Sequence, residues 1–323
     1  MTSKHNGPEH FVTLFDNLFL PQGLALHASL QQHAEPFVLW VLCMDEESKN
    51  ALDSLGLATM RTVALTEVET PELLQAKSGR TRAEYCWTVT PLTPKIVFDR
   101  DPTARRVTYL DADLYFLKSP RPIFEEFEVS GKAVLITDHA YDSEYDQSST
   151  SGQYCVQFVT FVRGASEQVR LWWEERCIEW CFARFENGKF GDQKYLDDWP
   201  TRFGASVHVL TQLDVLLAPW NARRFPHSRA IAWHFHGLRL LSRERVLLHG
   251  PYNVPEVVHE TVYRQYLEAL RRSLEMLGVS VVQTPDHRFL IEWVKSFARS
   301  TLRYLNRLRT SHPVRRLPTR VEQ

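Results

Sequence analysis

The chain predicts an α/β domain, a mostly parallel sheet covered by helices, followed by a helical extension. Three observations carry that prediction. Strand-like and helix-like patterns alternate along most of the sequence, the arrangement that arises when helices cross between parallel strands. Several strand-like runs, FVLWVLCM at residues 37–44 above all, are apolar throughout and suit burial on both faces. The length of 323 residues supplies core for one large domain with an extension. The boundary falls at residue 250, with 1–250 as the sheet domain and 251–323 as a basic helical extension.

Composition narrows the class. Hydrophobic residues at 44% with 12% aromatics fit a globular protein and not a disordered one. A formal charge of −1 gives no electrostatic case for a nucleic-acid partner. The five cysteines (Cys43, Cys86, Cys155, Cys177, Cys181) are odd in number and contain no CxxC pair. Neither a disulfide framework nor a zinc ribbon is therefore expected. No run approaches the roughly 20 apolar residues that a bilayer crossing needs. The first ten residues are polar and do not resemble a signal peptide, so a cytosolic location with reduced thiols is expected.

Taken in order, HFVTLF at residues 10–15 is a first strand, with Asp16 and Asn17 at its end. A helix opens near Pro21 and runs through LALHASL. After the strand at 37–44 come a helix over 46–55 and a third strand at 61–64. Residues 81–98 read as one helix that delivers the chain to the strand VTYL. Strands follow at 133–137 and 156–162, separated by a polar, serine-rich stretch, 141–152, read as a mobile loop. Over residues 164–185, Val169, Trp173, Cys177 and Trp180 or Cys181 recur at helical spacing as a core-facing stripe. A helix near residues 256–277 opens the extension.

The chemistry-bearing run is VTYLDADLYFL, residues 107–117. On an extended backbone, side chains two apart share a face, so Asp111 and Asp113 aim together while Ala112 turns aside. Two carboxylates held together repel, and a hard divalent cation relieves that cost. Mg²⁺ and Mn²⁺ sites join one or two carboxylates to substrate phosphates, so the expected ligand is a metal-bound phosphate or diphosphate. The plainer reading is a solvated turn closing a strand. Asp16, Asp111 and Asp138 each follow a strand, and open α/β sheets bind ligands at the carboxyl ends of their strands. Singly, Asp16 and Asp138 also read as turn residues or helix caps. In AIAWHFHGL, an extended backbone puts His234 and His236 on one face. An imidazole can complete a site begun by two carboxylates, more readily for Mn²⁺ than for Mg²⁺.

Six elements then occur in a meaningful order: FVTLFDN, Lys95 on the helix before the DxD, YLDAD, CVQFVTF, the Asp-Gln of FGDQKYLDDW, and HFHG. Over residues 11–240 they make the chain resemble the GT-A-fold glycosyltransferases that use nucleotide-diphosphate sugars. The glycogenin-like and bacterial lipopolysaccharide galactosyltransferase group is the nearest in pattern. The run from LWWEERC to LDDWP also resembles glycosyltransferases of bacterial surface-polysaccharide clusters. The resemblance implies a Rossmann-like GT-A sheet and metal-dependent transfer of a sugar to a saccharide or lipid-linked saccharide acceptor. It implies Asp111, Asp113 and His234 as ligands of Mn²⁺ or Mg²⁺, Asp16 and Asn17 at the nucleoside, and Lys95 at the phosphates. Asp192 and Gln193 would lie beside the reacting sugar, with Asp138 nearby. By analogy alone, the anomeric configuration would be retained.

There are departures. Cys155 and Gln157 stand where the family's Asn-x-Gly motif has Asn and Gly, and the Lys-Pro-Trp after the late histidine is missing. Arg239 is the nearest cation to replace that lysine at the diphosphate.

Two rival readings come from other classes. A phosphatase of the haloacid dehalogenase type also places DxD after an apolar strand, with a later GD-x4-D, and this chain offers DAD and GDQKYLD. Against it, the DxD lies beyond residue 100, Leu114 stands where Thr or Val is usual, and GDQ follows the polar ENGKF. The other rival is a non-catalytic protein that binds sugar nucleotides or carbohydrate.

The carboxyl-terminal region, residues 288–320, carries nine Lys and Arg against one acidic residue, Glu292. Lys295, Arg299, Arg303 and Arg307 recur every fourth residue beside an apolar stripe. Such a helix suits an anionic membrane surface, here the inner face of the membrane, or packs on the domain with a solvated basic face.

Overall fold

A computed structural model describes residues 7–241 and 245–278, together with the backbone of one short strand at 314–316. The first strand, β1 (Glu9–Phe15), is buried along nearly its whole length and is followed by α1 (Leu20–His33). Then come β2 (Phe37–Cys43), α2 (Glu46–Leu55) and β3 (Met60–Ala64). Asp45 caps α2 by accepting from Ser48 N, and Gly56 ends that helix in the left-handed region, where glycine is favoured.

After α3 (Pro71–Ser78), the single helix expected over 81–98 proves to be two. α4 (Arg82–Val89) opens with a Thr81–Glu84 capping box. A 3-10 turn, Thr90–Leu92, separates it from α5 (Thr93–Arg100). Pro91 and Pro94 explain the break, since neither can donate the backbone bond that a continuous helix needs.

The chain continues with β4 (Arg106–Leu110), β5 (Leu114–Phe116), α6 (Arg121–Ser130), β6 (Val134–Asp138) and β7 (Tyr154–Val162). Next are α7 (Glu167–Glu179), a 3-10 run at Gln193–Asp198, α8 (Trp199–Arg202) and β8 (Val207–Val209). Seven strands form the main sheet in the order β3-β2-β1-β4-β7-β6-β8. Every neighbouring pair is parallel except those of β7, which runs against β4 and β6. β1, β4 and β6 therefore end along one edge, and Asp16, Asp111 and Asp138 stand at those ends. Because β7 is reversed, residues 139–153 leave and re-enter the sheet at that same edge.

Apolar layers cover both faces of the sheet. One contains Val12, Leu42, Val97, Tyr109, Phe161 and Trp199, with Val169, Trp173 and Cys177 of α7 facing inward as their spacing requires, while Cys181 joins the same layer from beyond the end of that helix. The other contains Phe11, Leu26, Leu39, Leu114, Phe116 and Phe158 beneath α1 and α6.

β5 leaves the main sheet to pair with β10 (Ala232–His234), which also pairs with β9 (Leu216–Leu217). β11 (Arg239–Leu240), β12 (Arg245–Leu247) and β13 (Val314–Arg316) form a third sheet. The helix of residues 256–276 has three parts: α9 (Glu256–Val258), a π-helical turn at His259–Tyr263, and α10 (Arg264–Met276). It packs on α1, with Tyr266 stacked on Phe235 at 3.6 Å between ring centroids and edge-on to Tyr115 at 5.5 Å. The basic stripe Lys295–Arg307 lies outside the described residues. Among the described residues, no helix is long and apolar enough to cross a membrane.

Candidate active site

Asp111 and Asp113 flank a tight turn and not an extended strand end. Leu114 N donates to Asp111 O at 3.1 Å across that turn, and Asp111 N donates to Gln157 O of β7 at 3.1 Å. The two carboxylates still point to one place, because the turn and the β5–β10 pairing bring them there together. That pairing sets His234 opposite Leu114, and Phe235 N donates to Asp113 O at 2.9 Å. His234 Nε2 then lies 3.1 Å from Asp113 Oδ1 and 3.7 Å from Asp111 Oδ2. The ligand atoms of Asp111, Asp113 and His234 fall within 4.8 Å of one another, the one such convergence among the described residues.

The electrostatics follow from this packing. Burial raises the Asp111 carboxyl, with Asp113 adding to the rise and His234 opposing it. Burial also pushes on Asp113, but the charge and hydrogen bond of His234 outweigh it and hold that carboxyl at about 2. Burial depresses His234, yet Asp113 and Asp111 lift it well above the ordinary imidazole value. Two carboxylate oxygens and an imidazole nitrogen thus converge in an arrangement that a divalent cation fits. His236 lies beside this group, its ring 5.7 Å from that of His234, and burial followed by the His234 charge lowers it to about 3. Gly237 turns the chain with φ of 81°, and a Cβ there would sit 3.3 Å from the His249 carbonyl carbon. Only glycine suits that position. The half-buried Arg239 faces Asp113, with its guanidinium 5.5 Å from the Phe19 ring.

Asp192 is 5% exposed. Burial and then the Asp111 charge raise its carboxyl well above the usual range. Trp173 Nε1 donates to the Asp192 backbone oxygen at 2.9 Å and fixes the segment. Tyr109, two residues before Asp111 on the same strand face, donates its hydroxyl to Asp111 Oδ1 at 3.0 Å. Strand alternation could have identified that tyrosine from the sequence.

Asp138 and Gln193 serve the 139–153 loop. Asp138 accepts from Ala140 N at 2.6 Å and from Gln153 Nε2 at 3.0 Å, and Gln193 Nε2 donates to Ser151 O at 2.8 Å. The stretch read as a mobile loop is tied further by Lys194 to Ser148 O and by Asp197 to Gln153 N.

At the end of β1, Asp16 is 8% exposed and caps the next turn by accepting from Leu18 N at 3.0 Å. Arg82 of α4 pairs with Asp16 at 2.7 Å and also with Asp45. Asn17 N donates to Asp45 Oδ2 at 3.1 Å and its amide to Glu47 at 2.9 Å. Burial raises the Asp16 carboxyl, with Arg82 opposing. Nothing in the sequence pattern announced Arg82, whose partners lie 37 and 66 residues away along the chain.

Lys95 is not brought to this edge. Its ammonium pairs with Asp99 and its charge acts on Glu167. Glu167 opens α7 just after β7, whose reversed direction puts that end at the opposite edge of the sheet. Among the described residues, Arg82 pairs with Asp16 and Arg239 faces Asp113.

No family model matches the chain. It is similar to two uncharacterized proteins of Bacillus subtilis (strain 168). YfnD is 29% identical over 285 residues, which are 82% of this chain and 90% of YfnD. YfnF is 29% identical over 304 residues, which are 86% of this chain and 95% of YfnF. Among solved structures, the galactosyltransferase LgtC in complex with donor and acceptor sugar analogs aligns with a TM-score of 0.50 and 14% identity. That alignment covers 89% of this chain and 99% of LgtC. The bifunctional glycosyltransferase WbbM aligns with a TM-score of 0.53 and 12% identity, over 86% of this chain and 52% of WbbM. The chain has the GT-A fold of these glycosyltransferases, as its sequence motifs led us to expect.

Proposed function

We propose that the protein is a metal-dependent glycosyltransferase that moves a sugar from a nucleotide diphosphate to a saccharide or lipid-linked saccharide. The observation that carries this reading is the convergence of Asp111, Asp113 and His234 at the carboxyl edge of a GT-A sheet. Two carboxylate oxygens and one imidazole nitrogen form a donor set suited to Mn²⁺, so Asp111, Asp113 and His234 would hold the cation that meets the diphosphate. When bound, the cation supplies Lewis-acid stabilisation of the departing diphosphate.

The chain's own residues do the rest. Arg239, facing Asp113, adds positive charge beside the leaving group. Asp16 and Asn17 meet the nucleoside at the end of β1, where Arg82 already lies against Asp16. Asp192 stands beside the sugar. A carboxylate there stabilises oxocarbenium-like charge on the ring, and Tyr109 holds the neighbouring Asp111 by the hydrogen bond from its hydroxyl. Asp138 and Gln193 act by ordering the 139–153 loop over the crevice. Lys95 was expected at the phosphates, and its pairing with Asp99 favours assigning that duty to Arg239.

The acceptor belongs in our reading to a bacterial surface polysaccharide, and the basic stripe Lys295–Arg307 would bring the enzyme to the anionic cytosolic leaflet. The likeness to LgtC, solved with an acceptor sugar analog, supports a saccharide acceptor. The test is a thermal-shift screen of UDP-, GDP-, CMP- and dTDP-sugars with Mn²⁺, followed by turnover with any donor that stabilises the fold. One nucleotide series is expected to raise the melting temperature only with the metal present. Stabilisation by none of them, together with spontaneous hydrolysis of a phosphomonoester, would overturn the proposal.

A further inference from the structure

Between the buried Asp192 and the protein surface stand two aromatic rings that the metal group and its neighbours do not use. Trp87 of α4 and Phe190 are both half-buried, with ring centroids 6.4 Å apart and planes tilted by 40°. Gly191 lies against Trp87, since a Cβ there would meet Trp87 Cε3 at 3.4 Å, and its φ of 53° also favours glycine. Asp192, 5% exposed, is the next residue. From the crevice outward the order is Asp192, Gly191 and then the ring pair. Arg82, at the start of α4, pairs with Asp16 at the end of β1. Trp87 follows it by five residues, about 7.5 Å along the helix axis and away from the nucleoside end.

The pair is held from both sides. Glu186 and Lys189 exchange backbone hydrogen bonds of 3.0 Å, closing a hairpin whose tip residues Asn187 and Gly188 have φ of 52° and 76°. Gly191 N donates to Phe182 O at 3.0 Å, and Ala183 N donates to Glu84 Oε1 of α4 at 2.8 Å. The segment carrying Phe190 is thus clamped to the helix carrying Trp87. The neighbouring rings are already engaged by cations. Arg80 and Arg184 lie over Phe182 at 5.5 and 4.3 Å, and Lys189 and Arg184 lie over Trp180 at 5.0 and 5.7 Å. Among the described residues, no cation covers Trp87 or Phe190 in this way.

We propose that Trp87 and Phe190 form a subsite that seats a pyranose ring of the acceptor saccharide. A pyranose presents a face of C–H bonds bordered by hydroxyls. The electron-rich face of an aromatic ring attracts that C–H face as water leaves both, while the hydroxyls stay at the wet edge. The ring pair lies on the outer side of Asp192, the side from which an acceptor enters. A donor anchored at the metal group occupies the inner side. The clamp sets both rings in place before the saccharide arrives, which lowers the cost of ordering them. The inference rests on the transferase reading given above.

The test uses the full chain, with and without Mn²⁺ and UDP, GDP or dTDP. The probes are methyl pyranosides of glucose, galactose, mannose, rhamnose and N-acetylglucosamine. Saturation-transfer NMR, with the aromatic protons irradiated, reads both binding and the saccharide protons that touch the rings. At least one pyranoside is expected to bind, its ring C–H protons receiving most of the saturation. Trp87→Ala should weaken that binding by about tenfold, and Trp87→Phe should retain most of it, because the smaller ring still stacks. Phe190→Leu keeps apolar bulk without the aromatic face, so it should also weaken binding, and it serves if Trp87→Ala does not fold. Phe185→Ala, on the same segment but 51% exposed and outside the pair, should bind as wild type does. Three results overturn this inference alone in a chain that binds one of the nucleotides with Mn²⁺. They are binding of no pyranoside, equal affinity across wild type and the Trp87 and Phe190 variants, and displacement of the pyranoside by the nucleotide. Binding of no nucleotide with Mn²⁺ overturns the transferase reading itself.

Discussion

The two ends of the crevice treat their carboxylates in opposite ways. At the end of β1, Asp16 and Asp45 are bridged by Arg82, a cation that stays charged at any working pH. At the end of β4, Asp111 and Asp113 share His234, a partner that can surrender its proton and become a ligand. Each pair of carboxylates thus faces one cationic partner, but only the partner of the second pair can lose its charge. The contrast teaches where a divalent cation gains most: at the site whose own counter-charge is exchangeable.

The largest test of this contrast is Asp113→Ala. Divalent-dependent turnover is expected to fall by about 10³-fold, as when a group that stabilises transition-state charge is removed, with circular dichroism unchanged. Full activity of wild type in excess chelator would break the assignment.

His234→Ala should weaken Mn²⁺ binding by at least about 10-fold, and His236→Ala far less, as read by calorimetry. A reversed order would move the ligand to His236.

The pH dependence has a definite sign. Because Asp113 and Asp111 raise His234 above the ordinary imidazole value, its proton persists to higher pH and competes with the metal. Mn²⁺ affinity should therefore climb as pH rises toward that raised value, by up to about tenfold per unit. A flat profile in wild type, equal to that of His234→Gln, would show that no proton is displaced.

The smallest effect belongs to the other end. Arg82→Ala removes a half-exposed ion pair and should cost on the order of 0–1 kcal/mol of stability by denaturant titration. Its Mn²⁺ affinity should be unaltered. Loss of metal binding as deep as that of Asp113→Ala would erase the distinction between the two ends.

Much of the sheet was legible because parallel strands buried on both faces must be apolar throughout, as FVLWVLC is. The gathering of Asp16, Asp111 and Asp138 at one edge was legible for a related reason, since acidic residues after strands β1, β4 and β6 can only gather where those strands end. The split of residues 81–98 was also open to reading, and Pro91 and Pro94 were its signal. What local pattern could not supply was distance across the fold. Lys95 and Arg82 both precede the DxD on helices, and only the reversed direction of β7 shows which edge each reaches. Cys155 appeared in the sequence as a departure from a motif, and its place opposite Thr137 arises from long-range strand pairing.

The reversed strand β7 has one more consequence, for how this fold can change over time. Because β6 ends and β7 begins at the same edge, residues 139–153 form a brim on the crevice, seated through Tyr145 in the apolar cluster of Trp220 and Tyr252. They are pinned by Asp138, Gln193, Lys194 and Asp197 and contribute few residues to the two apolar layers. Lengthening such a connection costs only the slowly growing entropy of loop closure, roughly 0.6 kcal/mol for each doubling. The brim can therefore be rewritten while the strands that bring Asp111, Asp113 and His234 together keep their register.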